Sequence, residues 1–142
     1  MAYAPLRIKA EEDEDLEVIS ACLQDAIIPL AGLDFDKDSN RFHLLANRFC
    51  WECEREEAAS RVLSMLHFHH VTDVHKRSLD RTNSEELLNL LTIHRLGQEN
   101  WIHLVFSGGS EVRLKVDQLT CHLCDIEEPH PTVHVPSHAS DQ

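Results

Sequence analysis

The stretch Asn100 to Val116, NWIHLVFSGGSEVRLKV, constrains the fold of this chain more than any other. Trp101 to Phe106 and Glu111 to Val116 both read as strands, joined by Ser107-Gly108-Gly109-Ser110. Glycine adopts positive φ without a steric penalty, so Gly-Gly between two strand-like runs predicts a β-hairpin. In the second run Val112, Leu114 and Val116 alternate with Glu111, Arg113 and Lys115. That alternation is the mark of a half-buried antiparallel strand.

The rest of the chain reads consistently with such a sheet. Leu6 to Ala10 is a short first strand. Glu11 to Gln24 is a helix, with Leu16, Ile19, Leu23 and Ile27 forming one apolar stripe and Pro29 closing it off. Strands are expected over Ala26–Phe35, Arg41–Trp51, Arg61–Phe68, Val71–Leu79 and Leu87–Arg95. In the last of these, Leu88, Leu90, Thr92 and His94 oppose Leu87, Asn89, Leu91 and Ile93. Val116, Leu119, Leu123 and Ile126 step at helical spacing, and Asp117 suits a cap, so Asp117 to Ile126 is read as a second helix ahead of the alternative, a continued strand with a bulge. Trp51 and Trp101 are expected in the core. Glu127 to Gln142 contains Pro129, Pro131 and Pro136 and few large apolar residues, which predicts a loosely held tail. The expected architecture is a single α+β domain over residues 1–126, followed by the 127–142 tail. It has about six to eight mostly antiparallel strands and an N-terminal helix on one face. The sheet is expected to curl toward a small barrel, pleckstrin-homology-like, closed by the C-terminal helix.

Charge narrows the function. The net charge is −12 over 142 residues, with acids in excess well beyond the Glu11–Glu17 run. Phosphate backbones and anionic bilayers are bound by clustered Lys and Arg, so neither nucleic acid nor membrane is an expected partner. MAYAPLRIK lacks the apolar region of a secretion signal, and no apolar run approaches a membrane span. The expected location is cytoplasmic, with Cys22, Cys50, Cys53, Cys121 and Cys124 as reduced thiols.

Several residues could carry chemistry. Cys50-Trp51-Glu52-Cys53 and Cys121-His122-Leu123-Cys124 are CxxC pairs, and four thiolates can close a tetrahedral zinc site. Residues at i and i+3 of a strand face opposite ways, however, so Cys50 and Cys53 would not converge, whereas Cys121 and Cys124 on a helix would. Neither pair stands at a helix start, which a redox CxxC wants. His67 and His69 share a strand face and form a usable metal-ligand pair, with His75 beyond a break. His130, His134 and His138 recur every four residues, but the prolines between them oppose a helix. The expectation is therefore no cofactor, with zinc at the cysteines or at His67 and His69 as the alternative. Gly108-Gly109 has no following Lys-Ser or Lys-Thr and is no phosphate loop. Ser107 and Ser110 lack a nucleophile-elbow context. Asp34, Asp36 and Asp38 lack the glycine and glutamate of a calcium loop.

DLEVISACLQDA from Asp15, Asn47-Arg48-Phe49 with Trp51-Glu52, Leu66-His67-Phe68, and the LVFSGGSEVRLKV hairpin together resemble an alphaproteobacterial family. It is the family filed as domain of unknown function 2948, and the resemblance covers about residues 6 to 126. The resemblance implies a small intracellular bacterial protein without an assigned activity, and it brings no functional residues with it. The expected function is a small binding or adaptor protein without catalytic activity, acting through a protein partner or self-association. The alternatives are a metal-dependent protein and a small-molecule enzyme with a site assembled from distant strands.

Overall fold

The computed structural model describes residues 4–52, 59–79, 85–97 and 99–132. The elements in chain order are β1 (Arg7–Ala10), α1 (Asp13–Cys22), β2 (Ile27–Pro29), β3 (Asp34–Asp36), β4 (Arg41–Phe49) and β5 (Ala59–Phe68). They continue with β6 (Val71–Arg77), β7 (Leu87–Arg95), β8 (Trp101–Phe106), β9 (Glu111–Val116), β10 (Cys121–Asp125) and β11 (His130–Thr132). The strands form one 11-stranded sheet in the order β1-β10-β5-β4-β2-β7-β8-β9-β6, with β3 beside β4 and β11 beside β5. Its ladders are antiparallel. The helix packs on β1, at one end of the sheet, and on β7, far along it. The sheet therefore curls around α1, and residues from both halves join one core.

The central hairpin forms as its sequence predicts. Val112, Leu114 and Val116 are buried, and Gly108 and Gly109 take φ of 79° and 86° in the turn. The helical stripe also holds for Leu16, Ile19 and Leu23. Ile27 belongs to β2 instead, because the chain turns out of the helix at Asp25, where φ is 65°.

Four expectations are corrected. The barrel does not close, since β1 and β6 stand at opposite ends of an open sheet. The strand count exceeds six to eight, partly because Ala26–Phe35 is split into β2 and β3 by a 3-10 turn at Leu30–Gly32. Asp117–Ile126 forms no helix. Val116, Leu119 and Leu123 reach the core from β9, a connecting loop and β10, so their helical spacing is coincidental. The extended form of β10 wins because β1 and β5 pair with it on both sides and satisfy its backbone. Neither tryptophan lies in the core. Trp51 is 42% exposed, and Trp101 lies outward, its ring centroid 4.8 Å from that of His75.

The alternation read in β7 holds only to Leu90. A bulge between Leu90 and Thr92 shifts the register against β8. Ile93 is consequently buried and His94 exposed. Thr92 Oγ1 lies 3.2 Å from Ser20 Oγ, and that Ser20 hydroxyl also accepts the Ile93 amide at 2.9 Å, tying the bulge to α1. The segment read as a loose tail begins with β11, paired to β5 through His130↔Arg61 and Thr132↔Ala59. Residues 133–142 of that segment lie outside the described residues.

Candidate binding face

Strand register builds the site. Successive residues of a strand point to opposite faces, so directly paired residues across a sheet form rows. On the outward side of β1-β10-β5-β4-β3, one row runs Lys9, His122, His67, His43, Asp34. The next runs Arg7, Cys124, Met65, Leu45, and the one after joins Leu63, Asn47, Ile27 and Asn89. Ile126 N donates to Leu63 O at 2.9 Å and brings Ile126 beside that third row. Phe49 opposite Arg61 forms the far margin, with the guanidinium 5.9 Å from the Phe49 ring and Trp51 4.6 Å from it. The face is thus an apolar belt of Leu45, Met65, Leu63 and Ile27 between an imidazole row and an aromatic margin.

The imidazoles touch one another. The His43 and His67 ring centroids lie 5.5 Å apart, and those of His67 and His69 6.4 Å apart in a stacked arrangement. His69 Nε2 stands 3.2 Å from His122 Nδ1. His43 Nε2 lies 3.7 Å from Asp34 Oδ2. Burial holds His67 and His69 below the usual imidazole range, and the charges that neighbouring histidines and Arg41 would bring add to the effect. Both rings therefore favour the neutral form.

Beneath the face, the inward alternation of β4 runs Phe42, Leu44, Ala46 and ends on Arg48, which is 0% exposed. Its Nε and Nη2 donate to the two carboxylate oxygens of Asp125 at 2.9 and 2.8 Å, and Nη1 and Nη2 to Glu52 at 3.1 and 2.6 Å. Ser64 Oγ at 2.6 Å and Leu6 N at 2.8 Å also donate to Asp125. Burial opposes the Arg48 charge, but the bonds to Asp125 and Glu52 outweigh it and hold the guanidinium ionised. This cluster fastens β4, β5, β10 and the N-terminal segment together, and every group in it is already engaged by the fold.

A second row of bases crosses the other half of the sheet: His75, Arg113, His103, His94. Here Glu111 receives His103 at 2.7 Å, Arg113 at 3.0 Å and Arg77 at 3.3 Å. Burial opposes ionisation of Glu111, yet the bonds from Arg113 and His103 prevail and keep its carboxyl below the usual range. His75, Lys76, Arg77, Glu111 and Arg113 line a cleft of about 190 Å³, and a cleft of about 160 Å³ lies between α1 and β7. Both are smaller than the ~300–1,000 Å³ of typical small-molecule pockets.

The candidates read from the sequence are only partly brought together. His67 and His69 do share one face, and the fold adds His43 and His122 to them. His75 lies on the other half, and His130 stands on β11. Cys121 and Cys124 point to opposite faces of β10, Cys121 into the core, where burial drives its thiol far up. Cys50 is buried and disulfide-bonded, contrary to the expectation of reduced thiols, whereas Cys22, Cys121 and Cys124 are free. Cys53, His134 and His138 lie outside the described residues. Among the described residues, no three His, Cys, Asp or Glu side chains are arranged to hold a metal.

His122 was missed because it lies in the segment read as a helix. Its signal was the alternation of Cys121 and Leu123 with His122 and Cys124. Arg48 was missed although Phe42, Leu44 and Ala46 set the parity that carries it inward.

A family model described as a protein of unknown function, DUF2948, matches residues 6–138. The chain belongs to that family. The DUF2948 match reaches past β10 and takes in β11, so the family unit includes the strand that the tail contributes. No curated protein and no solved structure matches the chain. Among the described residues, no helix of this DUF2948 protein is long and apolar enough to cross a membrane.

Proposed function

We propose that this protein is a non-catalytic binding domain that works through protein contact, and that the outward face of β10-β5-β4-β2 pairs with a second copy of the chain. One observation carries the reading. Of the large apolar side chains exposed among the described residues, Trp51, Leu87, Leu91 and Ile126 border this face, and Val18 alone stands elsewhere, on α1. Their rims enclose Met65, Phe49 and Arg61, residue types enriched at protein interfaces.

The charge pattern favours a second copy as occupant. A two-fold axis parallel to the strands and passing over β5 would set each row against its own reverse. Lys9 at one end of the imidazole row then meets Asp34 of the other copy, His122 meets His43, and Met65 meets itself. The face is self-complementary in charge at its ends and apolar in its middle, which works against the repulsion between chains of net charge −12. Three hydroxyls among the described residues serve the fold rather than chemistry. Ser64 is spent on Asp125, Ser110 on the Ser78 carbonyl and Ser20 on β7.

Light scattering and sedimentation test this directly. The parent chain is expected to run as a dimer, and Met65→Glu, which sets two carboxylates together on the axis, as a folded monomer with an unchanged circular dichroism spectrum. A parent chain that stays monomeric at the highest attainable concentration overturns the proposal. So does a Met65→Glu variant that dimerises as tightly as the parent.

A further inference from the structure

The imidazole row holds a pair whose nitrogen spacing suits a chelate. Nitrogen ligands sit ~2.0–2.1 Å from zinc, which places adjacent nitrogens of a tetrahedral site ~3.3 Å apart. His69 Nε2 and His122 Nδ1 are 3.2 Å apart in a hydrogen bond, with ring planes at 87°, and an ion replaces the proton they share once the rings carry their protons on His69 Nδ1 and His122 Nε2. We propose that these two nitrogens chelate a late first-row divalent ion such as zinc, nickel or copper, with water in the remaining positions.

Three features of the surroundings support the assignment. Both rings are half-buried and partly open to solvent in the single chain, so an ion can reach them there and keep water ligands, whereas pairing of copies would cover the row and compete with the ion. The two histidines come from different places in the sheet. His122 is held in β10 between β1 and β5. His69 follows β5 directly and is pinned by its amide, which donates to Thr120 O at 2.9 Å. The pair is therefore preset by the sheet, and an ion does not have to order two mobile side chains. Finally, the donor atoms select the ion. Lys9 lies opposite His122 in the row, and Arg41 is close enough to bear on His69, and both oppose every divalent ion alike. The two imidazole nitrogens favour late first-row ions over magnesium and calcium, which need oxygen ligands. His67 stacks on His69 and stands directly opposite His122, next to the pair on the same face.

This site lies within one chain and does not rest on pairing between copies. The test is calorimetric titration of the full chain with zinc chloride and with nickel chloride at neutral pH. One equivalent is expected to bind in the micromolar range, with magnesium giving no heat. His69→Gln and His122→Gln should each weaken binding roughly tenfold or more, at least the loss seen when a supporting residue of a metal site is removed. Both variants should keep the metal-free melting temperature of the parent. His134→Gln/His138→Gln, which changes histidines of the C-terminal segment, should bind as the parent does, and Met65→Glu, which leaves the row uncovered, at least as tightly. The proposal is overturned if the parent binds neither zinc nor nickel. It is equally overturned if the His134→Gln/His138→Gln change abolishes binding while His69→Gln and His122→Gln retain it. Loss of binding in Met65→Glu would show an ion bridging two copies and would also overturn it.

Discussion

At the scale of single residues, Arg48 shows how far strand parity dictates chemistry. Three apolar residues of β4 set the inward face, and the next inward position is a guanidinium with no exposed surface. A buried charge survives only when it is paired and its hydrogen-bonding capacity is used. Asp125 supplies a two-point partner and Glu52 a second carboxylate, while Ser64 and Leu6 N complete Asp125. Replacing Arg48 by Met leaves Asp125 buried at 1% side-chain exposure without its counter-charge. Arg48→Met is therefore expected to lower unfolding stability by about 3–5 kcal/mol in urea titration, since breaking one side of a buried pair strands the other. A loss under ~1 kcal/mol would mean that water enters and solvates Asp125 in the variant. The same residues show what a sequence discloses. Alternation marks position 48 as inward, but only the fold brings Asp125, 77 residues away, to meet it.

At the scale of elements, the clearest readings were those in which the local signals agreed. The hairpin carried both alternation and a glycine turn, and it formed as expected. β10 carried two conflicting periodicities, and pairing from β1 and β5 decided between them in favour of the strand. In β7 the period was legible, but the bulge after Leu90 was not, because it answers to Ser20 on the helix. The imidazole row was half legible. His67 and His69 share a face by parity, whereas His43 and His122 join them only through register. That row has a consequence for pH. The usual imidazole value is 6.5, and the folded values of His67 and His69 lie below it, first through burial and then through neighbouring bases, chiefly His43 for His67 and His122 for His69. Below pH 6.5 the unfolded chain therefore binds more protons than the folded one. The contribution to stability is complete above that value and declines as the pH falls through it toward the lower folded values. Thermal melts at about pH 7.5 and about pH 5.5 should show a fall in midpoint that is smaller in His67→Gln/His69→Gln than in the parent. An equal fall in both would place the acid sensitivity elsewhere.

At the scale of the whole molecule, the order of strands in space departs from their order in the chain. β1 lies beside β10, and the Leu6 amide is bonded to Asp125 across 119 residues. A chain that stops at Asp117 lacks the strand joining β1 to β5 and the carboxylate that neutralises Arg48. It is expected to stay unfolded by circular dichroism, whereas a chain that stops at Glu128 loses only β11 and its successors and folds with a lowered midpoint. Equal midpoints for the Glu128 chain and the parent would show that β11 adds nothing to the sheet.

The pairing of β1 with β10 also sets a schedule for synthesis. While the chain emerges from the ribosome, β1 has no strand partner and Arg48 only Glu52 as counter-ion until residue 125 is free of the exit tunnel. Most of the sheet can form hairpins early, from β4 with β5 and β8 with β9, but the closing contacts span almost the entire chain. Loop closure over such separations is slow, and a nascent sheet with an open edge is exposed to other nascent chains meanwhile. The closing contacts of the fold therefore wait for β10 to leave the tunnel, and their speed is governed by how quickly the first and tenth strands find each other.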